Sequence, residues 1–277
     1  MKLLFKIFIW FILSIKIATA QDVKNYKVIL EYKAYWAGFV VSDISSEAVL
    51  TSDEYQIAAH YEVSGIAALF RESINDTMST GIRLENGEFR PKTYESRGNF
   101  GEFKYLNKAL FDPLTLKVLS HEQELILRED TEYIPIPEEE KFGSDPLSMY
   151  LNMIMQKDFA VQFNQTTTQR QFGGIFVTEQ EFICDQQDIL KPEKRSVFEG
   201  ETTICSYDGK LIAGDIKSTK KSKKRKKDRV DDDRKTQVWF GKMDGFNAMV
   251  PVYTEFPIGW GKVRIYLSHF KVEPILS

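Results

Sequence analysis

The chain has 277 residues, with 37 Lys and Arg residues, 40 Asp and Glu residues and a formal net charge of −3 at pH 7. This weakly acidic balance excludes a general nucleic-acid-binding surface, which needs an excess of clustered basic residues. Hydrophobic residues make up 43 % of the chain and aromatic residues 13 %, so there is enough apolar material for a large core.

The first twenty residues have the pattern of a secretory signal peptide. Lys2 and Lys6 precede an apolar run at residues 7–15, and Ala-Thr-Ala at 18–20 forms an A-x-A cleavage site. The run is shorter than the roughly 20 residues of a membrane span, which makes a membrane anchor the weaker alternative. We therefore expect export to the periplasm, cleavage after Ala20 and a mature chain of residues 21–277.

Alternating apolar and polar residues predict an antiparallel sheet. Every second residue is apolar from Tyr26 to Trp36, and the same period returns from Tyr55 to Val63 after a turn-like segment at 51–54. Consecutive strands of this kind form a meander. Further strands are predicted around an Asn-Gly hairpin turn at 86–87, and at residues 100–127, 160–163, 175–184, 201–213, 237–241 and 250–270.

One amphipathic helix is predicted at residues 146–156. Ser144 or Asp145 can cap its free amides, and Pro146 suits the first turn. Such a helix would plug an open end of the sheet or cover one face. Residues 64–70 lose the alternation and are either a short helical turn or a bulged strand. The apolar residues of the predicted helix recur at spacings of three and four: Leu147, Tyr150, Leu151 and Ile154.

Together these elements predict a mainly β fold. We expect a single domain over residues 21–277, in which a large curved antiparallel sheet forms an open or incompletely closed barrel or spiral around one short helix. The two cysteines of this exported chain, Cys184 and Cys205, leave only one intramolecular disulfide to form. Cys205 and Leu211 share a parity in the strand at 201–213, unless an irregularity at Asp208-Gly209 reverses the register, and this parity places the cysteine pair on or near the core face. The alternative for the cysteines is two free buried thiols.

A charged stretch at about 217–235 has no apolar periodicity and is predicted to be a disordered loop. One interpretation is a contact with an anionic membrane surface, to which each basic residue near the surface adds roughly 1 kcal/mol; the other is a solvated insertion. The signal peptide argues against a nucleic-acid-binding role. The basic residues of the candidate contact are Lys220, Lys221, Lys223, Lys224, Arg225, Lys226 and Lys227.

The sequence contains no motif that identifies a reaction, cofactor or metal. The histidines, His60, His121 and His269, are far apart and lack metal-ligand spacing. Nucleophile-elbow, phosphate-loop and dinucleotide-binding patterns are absent. We therefore predict no catalytic, cofactor-binding or metal-binding residues, and an undetected hydrolase is the least favoured interpretation.

Several short motifs follow one another along the mature chain: GFVV at 38–41, SGI at 64–66, STGI at 79–82, FRPKTY at 89–94, DPLSMY at 145–150, CSYDGKLIAG at 205–214 and PV at 251–252. In this order they resemble the bacterial exported family catalogued as domain of unknown function 3108. The resemblance implies a periplasmic, β-rich, incompletely closed barrel or spiral without established catalytic residues. Only the architecture is similar to that of periplasmic envelope-integrity proteins and lipoprotein-carrier half-barrels. The lysine-rich insertion departs from the family pattern.

Two functional hypotheses remain. The first is a non-enzymatic periplasmic protein of cell-envelope maintenance that binds a hydrophobic ligand, such as a lipid, or a protein partner on the curved sheet. The second is a scaffolding protein with a filled core. The aromatic residues on the apolar parity of the strands would line a groove in the first case and fill the interior in the second. The sequence does not predict an oligomeric state.

Overall fold

The computed structural model describes residues 25–69, 72–155, 166–219, 235–259 and 261–275. As predicted, the fold is mainly β, with one large antiparallel sheet that stays open at its two edges. Its strands are β1 (Tyr26–Trp36), β2 (Phe39–Leu50), β3 (Glu54–Val63), β4 (Ser73–Arg83), β5 (Phe89–Phe100), β6 (Phe103–Phe111), β7 (Val118–Ile126), β9 (Thr166–Phe172), β10 (Val177–Leu190), β11 (Gly200–Ala213), β13 (Thr236–Lys242), β14 (Met249–Ile258) and β15 (Gly261–Pro274).

Smaller elements complete the described chain. β8 (Thr131–Ile134) and β12 (Asp215–Ser218) pair as a separate two-stranded ribbon. The ambiguous segment at 64–70 contains a single helical turn, α1 (Gly65–Ala68), and a 3-10 helix lies at Glu138–Glu140. The predicted amphipathic helix is confirmed as α2 (Pro146–Met155). No helix in the described ranges is long and apolar enough to cross a membrane.

The large sheet has thirteen strands in the order β7-β6-β5-β4-β3-β2-β1-β15-β14-β13-β11-β10-β9. β1 pairs with β15, so the first and last described strands meet in the middle of the sheet. Because every neighbouring pair is antiparallel and the number of strands is odd, the edge strands β7 and β9 run in the same direction. The two edges could therefore pair with each other only as parallel strands.

Residues 141–144, which we call the strap, lie between these edges. The strap pairs antiparallel with β7 through Phe142 and Lys117, and parallel with β9 through Ser144 and Gln171. Four backbone hydrogen bonds hold it: Val118 N to Lys141 O (3.0 Å), Gly143 N to Leu116 O (3.0 Å), Ser144 N to Arg170 O (3.0 Å) and Phe172 N to Ser144 O (2.9 Å). The strap thus closes one end of the seam that the sheet leaves open.

Gly143 allows the strap to pair with both edges. Its φ of 129° is outside the range that other residues prefer. A Cβ atom at this position would lie 2.7 Å from the carbonyl oxygen of Arg170. The Arg170 side chain holds the strap as well, since its Nε donates to the Phe142 carbonyl at 3.2 Å and its guanidinium carbon lies 3.8 Å from the Phe142 ring centroid.

The helix α2 follows the strap directly and enters the interior. Asp145 caps it, because its Oδ1 accepts hydrogen bonds from Leu147 N at 2.9 Å and Ser148 N at 3.1 Å. Leu151 and Ile154 are buried against both halves of the sheet. The helix therefore plugs the interior, one of the two predicted placements. Its core partners are Ala48, Leu50, Tyr55, Ile57, Phe89, Cys184, Cys205 and Phe240.

Cys184 and Cys205 lie directly opposite each other on β10 and β11, at disulfide-bonding distance with Cα atoms 4.0 Å apart. Both are buried in the cluster around α2, on the core face that the strand pattern predicted. The pair therefore fastens two long strands behind the helix.

Some boundaries differ from the predicted ones. Lys217 and Ser218, the first residues of the charged stretch predicted at about 217–235, pair with β8 as part of β12. Leu211 is 47 % exposed, whereas its neighbour Ile212 packs on a core cluster, so the parity changes between Cys205 and this end of β11. Residues 250–270 contain two strands, β14 and β15. The strand predicted at 160–163 and most of the charged stretch, residues 220–234, lie outside the described residues.

The strap generates a stability prediction. Gly143→Ala should lower the free energy of unfolding by about 3 kcal/mol, because the added Cβ meets the Arg170 carbonyl in a backbone conformation that alanine disfavours. Gly87→Ala is the matched control: Gly87 has a φ of 86° but no atom within 4 Å of its Cβ position, so we expect a loss of about 1 kcal/mol. Urea denaturation measures both, and equal losses would contradict the role of the close contact.

The cysteine pair generates a second prediction. We expect Cys184 and Cys205 to be bonded in the mature protein, and Cys184→Ala to lower stability by about 3 kcal/mol while leaving the fold intact, because the loop between them is short and the sheet provides most of the burial. Non-reducing peptide mapping and thermal melting measure these outcomes. Two free thiols in protein purified from the periplasm would contradict the prediction.

Candidate functional site

A buried polar network anchors α2 to the inner face of the sheet. Ser79 donates to Asp145 Oδ2 at 3.0 Å, and Ser148 donates to the same oxygen while its own hydroxyl hydrogen-bonds with that of Tyr55. Asp145 is fully buried, and this burial raises the pKa of its carboxyl, although the surrounding hydrogen bonds oppose the rise. Every member has a partner, so we assign the network to positioning the helix.

Asn152 holds α2 to β5 farther along the helix. Its side-chain oxygen accepts from Phe89 N at 2.7 Å, and its side-chain nitrogen donates to Phe89 O at 2.9 Å. The amide thereby replaces a neighbouring strand at a place where β6 has already ended, since the β5–β6 pairing starts at Thr93. The helix is consequently held by polar contacts as well as by its apolar face.

The helix fills only one half of the inner face. On β3 the inward residues Tyr55 and Ile57 are buried beneath α2, but Tyr61 and Val63, which share their parity farther along the strand, are only half-buried. β6 changes in the same way, from buried Ala109 at one end to half-buried residues at the other. We call the region beyond α2, at the ends of β1, β3 and β5 and the starts of β2, β4 and β6, the open half.

A row of residues crosses the open half from strand to strand. Tyr61 lies opposite Asn75, Asn75 opposite Gly98, and Gly98 opposite Tyr105. The hydroxyls of Tyr61 and Tyr105 and the side-chain nitrogen of Asn75 have no hydrogen-bond partner within the described chain, while Asn75 Oδ1 accepts from Thr77 at 3.1 Å. Burial raises the pKa of Tyr105, with a smaller contribution from the charge of Asp76, so its phenol is neutral at physiological pH.

Gly98 brings this row together. A Cβ on residue 98 would lie 2.4 Å from the carbonyl oxygen of Ile74 and 3.0 Å from the Tyr105 hydroxyl oxygen. The missing side chain therefore lets the two strands approach and lets the Tyr105 hydroxyl lie above the glycine, beside Asn75.

Aromatic side chains surround the mouth of the open half. Phe39, Phe100 and Phe256 are 56 %, 51 % and 45 % exposed, respectively. Trp36 lies opposite both Phe39 and Val263, and Phe256 also lies opposite Val263, so these residues form one apolar line across four strands. Exposed apolar side chains grouped in this way are typical of a binding surface.

The outer face of β1 to β5 carries a separate concave surface of about 500 Å³. In it His60 Nδ1 lies 2.8 Å from Asp76 Oδ1, and Arg97 lies 3.4 Å from the same carboxylate. The His60 hydrogen bond is the main reason that the pKa of Asp76 is lowered. Ser45 lies opposite His60 in the strand register, but His60 Nε2 is near Glu62 at 3.8 Å instead. These paired side chains form a polar cluster on the outer surface, and they are not aligned for nucleophilic catalysis.

The residues singled out from the sequence lie in different places. The cysteine pair is behind α2, and the basic residues from Lys220 to Lys227 lie outside the described chain. His60 is on the outer face, and His121 lies at the seam with its ring 5.2 Å from that of Phe172. Within the described ranges, no group of three or more His, Cys, Asp or Glu side chains could hold a metal ion.

Sequence reasoning did not identify the row or the Asp145 network. Each strand showed its apolar parity, but pairing across strands depends on register, which alternation alone leaves open. The one local signal was Gly98 within a strand-like segment, since an interior strand glycine often marks a close approach.

No family model matches the chain, and no curated protein matches it. One similar solved structure is a β-barrel-like protein of domain of unknown function 1849 from Brucella abortus, with 8 % sequence identity and a TM-score of 0.42 over 91 % of this chain and 98 % of that one.

The seam generates a prediction about pH. Burial, followed by the nearby charge of Lys141, lowers the pKa of His121, and Glu138 opposes this only weakly. Protonation therefore favours the unfolded state, and the contribution of His121 to stability should be complete above its ordinary pKa of about 6.5 and lost as the pH falls. His121→Phe removes the titration and keeps a ring against Phe172. Its free energy of unfolding minus that of the wild type should increase below pH 6.5, and a pH-independent difference would contradict the prediction.

Proposed function

We propose that the protein is a non-enzymatic periplasmic protein of cell-envelope maintenance that binds a hydrophobic ligand, such as a lipid acyl chain, in the open half of the inner face. The observation that carries this proposal is the change in burial along the strands. On β3 and β6 the inward residues are buried where α2 lies and half-buried toward the aromatic mouth, whereas Ala34, Ser42 and Ser73 stay buried on β1, β2 and β4. A partly covered apolar face with a few polar groups is the usual form of a small-ligand site.

The second candidate is the scaffolding protein with a filled core. It is favoured by the half that α2 occupies. There Leu151 is fully buried, and each polar group of the Asp145 network already has a hydrogen-bond partner. The two candidates differ in what the open half does. Ligand binding requires it to take up an apolar guest, whereas scaffolding requires only that the outer surface contact another protein.

The cellular setting belongs to this proposal too. The pattern of residues 1–20 supports export, and the order of the short motifs supports membership of the family of domain of unknown function 3108. We further propose that the basic residues between Lys220 and Lys227 contact an anionic membrane surface. N-terminal sequencing of protein from the periplasmic fraction tests the cleavage after Ala20, and salt-dependent sedimentation with anionic vesicles tests the membrane contact.

Two substitutions on β2 test ligand binding. Ile44→Asp places a charge on the inward parity of the open half, whereas Val49→Asp places it on the opposite face of the same strand. We expect Ile44→Asp to weaken uptake of a neutral fluorescent apolar probe at least tenfold, because an apolar guest would have to desolvate the carboxylate. The Val49→Asp variant should bind as the wild type does.

The effect is measured by titrating the probe into protein that has been purified without detergent and freed of lipid with organic solvent. Thermal melting confirms that both variants are folded. Mass spectrometry of the solvent extract identifies any lipid that copurifies. The proposal fails if the wild type shows neither a copurifying lipid nor saturable uptake, and the scaffolding alternative then stands.

A further inference from the structure

The lining of the open half is uncharged on the described strands β1 to β6. On the inward parity between the mouth and α2, the described parts of β1 to β6 carry only apolar and neutral polar side chains. The charged residues of the same segments alternate with them and lie on the outer face, where they pair with one another: examples are Lys33 with Asp43 and Arg97 with Asp76.

An ionised head group would therefore find no partner of opposite charge among the inward side chains of these strands. Moving such a group past the apolar mouth would cost several kcal/mol without a compensating ion pair. A neutral head group would avoid this cost, because its oxygens need only ordinary hydrogen-bond donors.

The row supplies such donors. The hydroxyls of Tyr61 and Tyr105 and the side-chain nitrogen of Asn75 lack protein partners within the described chain, and they lie in one register row on β3, β6 and β4, respectively. Since the Tyr105 hydroxyl reaches back over Gly98, the three groups fall within about two strand spacings, or roughly 10 Å. This span is comparable with a glycerol or monosaccharide head group.

We propose that the open half binds an amphiphile with an uncharged, oxygen-rich head group, with the head on the row of Tyr61, Asn75 and Tyr105 and the acyl chain along the aromatic mouth. This inference rests on the proposed function and specifies its ligand class. It assigns the tyrosine hydroxyls to selecting the head group and the phenylalanines of the mouth to contacting the chain.

Competition between two ligands with the same chain tests the inference. A neutral fluorescent probe, N-phenyl-1-naphthylamine, is displaced from the wild type by 1-monooleoylglycerol or by oleate at pH 8, each below its aggregation concentration. We expect the Kd of monooleoylglycerol to be at least tenfold lower than that of oleate. Equal values, or tighter binding of oleate, would overturn the inference and leave apolar ligand binding in place.

Single-hydroxyl variants locate the head group. Tyr61→Phe and Tyr105→Phe should each raise the Kd of monooleoylglycerol about three- to tenfold, the effect of one lost hydrogen bond, and leave that of oleate unchanged. Tyr35→Phe is the matched control, because the Tyr35 ring packs with Tyr266 and Arg195 away from the row. An equal effect of Tyr35→Phe would overturn the assignment. Failure of both lipids to displace the probe would overturn the proposed function itself.

Discussion

The direction of the two edge strands is the constraint on which the rest of the structure depends. A meander of thirteen antiparallel strands ends with edges that run the same way, so the two edges could pair with each other only as parallel strands. The strap solves this at one end by pairing antiparallel with one edge and parallel with the other, and its change of direction requires a residue that tolerates a positive φ and has no Cβ. Gly143 is that residue.

The strap also determines how the interior is filled. The strap ends at Ser144, and Asp145 caps α2 at the next residue. The strap therefore places the start of the helix inside the sheet. A helix of ten residues is only about 15 Å long. The inner face extends farther along the strands than this, so the described residues of α2 leave its far part uncovered. Within the described chain, the open half is thus the part of the inner face that α2 does not reach from the strap.

The sequence predicted the parts of this architecture that depend on local patterns. Alternation identified strands such as β1 and β3, Asn86-Gly87 identified a hairpin, and the capping residues before Pro146 identified the start of α2 within one residue. It did not predict the strap, because residues 141–144 pair through only two isolated bridges and carry no periodic signal. A register reversal before Leu211 was left open by the sequence, and register shifts in β10–β11 do change which parity faces the core. The candidate site was hidden because Tyr61, Asn75 and Tyr105 meet only through the pairing of four strands.

The polar groups beside α2 and those in the open half differ in how completely they are hydrogen-bonded. Beside α2, each buried polar atom of the Asp145 network has a partner, as expected where water is excluded and an unpaired group would be costly. In the open half, three hydrogen-bonding groups have no partner among the described residues, and they are half-buried instead of sealed. Unpaired groups persist at little cost where water can reach them, so we expect water at these groups when no ligand is bound. A guest that replaces this water must offer oxygens to the tyrosine and asparagine donors, or else lose the hydrogen bonds that water made. A purely hydrocarbon guest would therefore be a poorer fit for the row than for the aromatic mouth, and the two regions together favour an amphiphile.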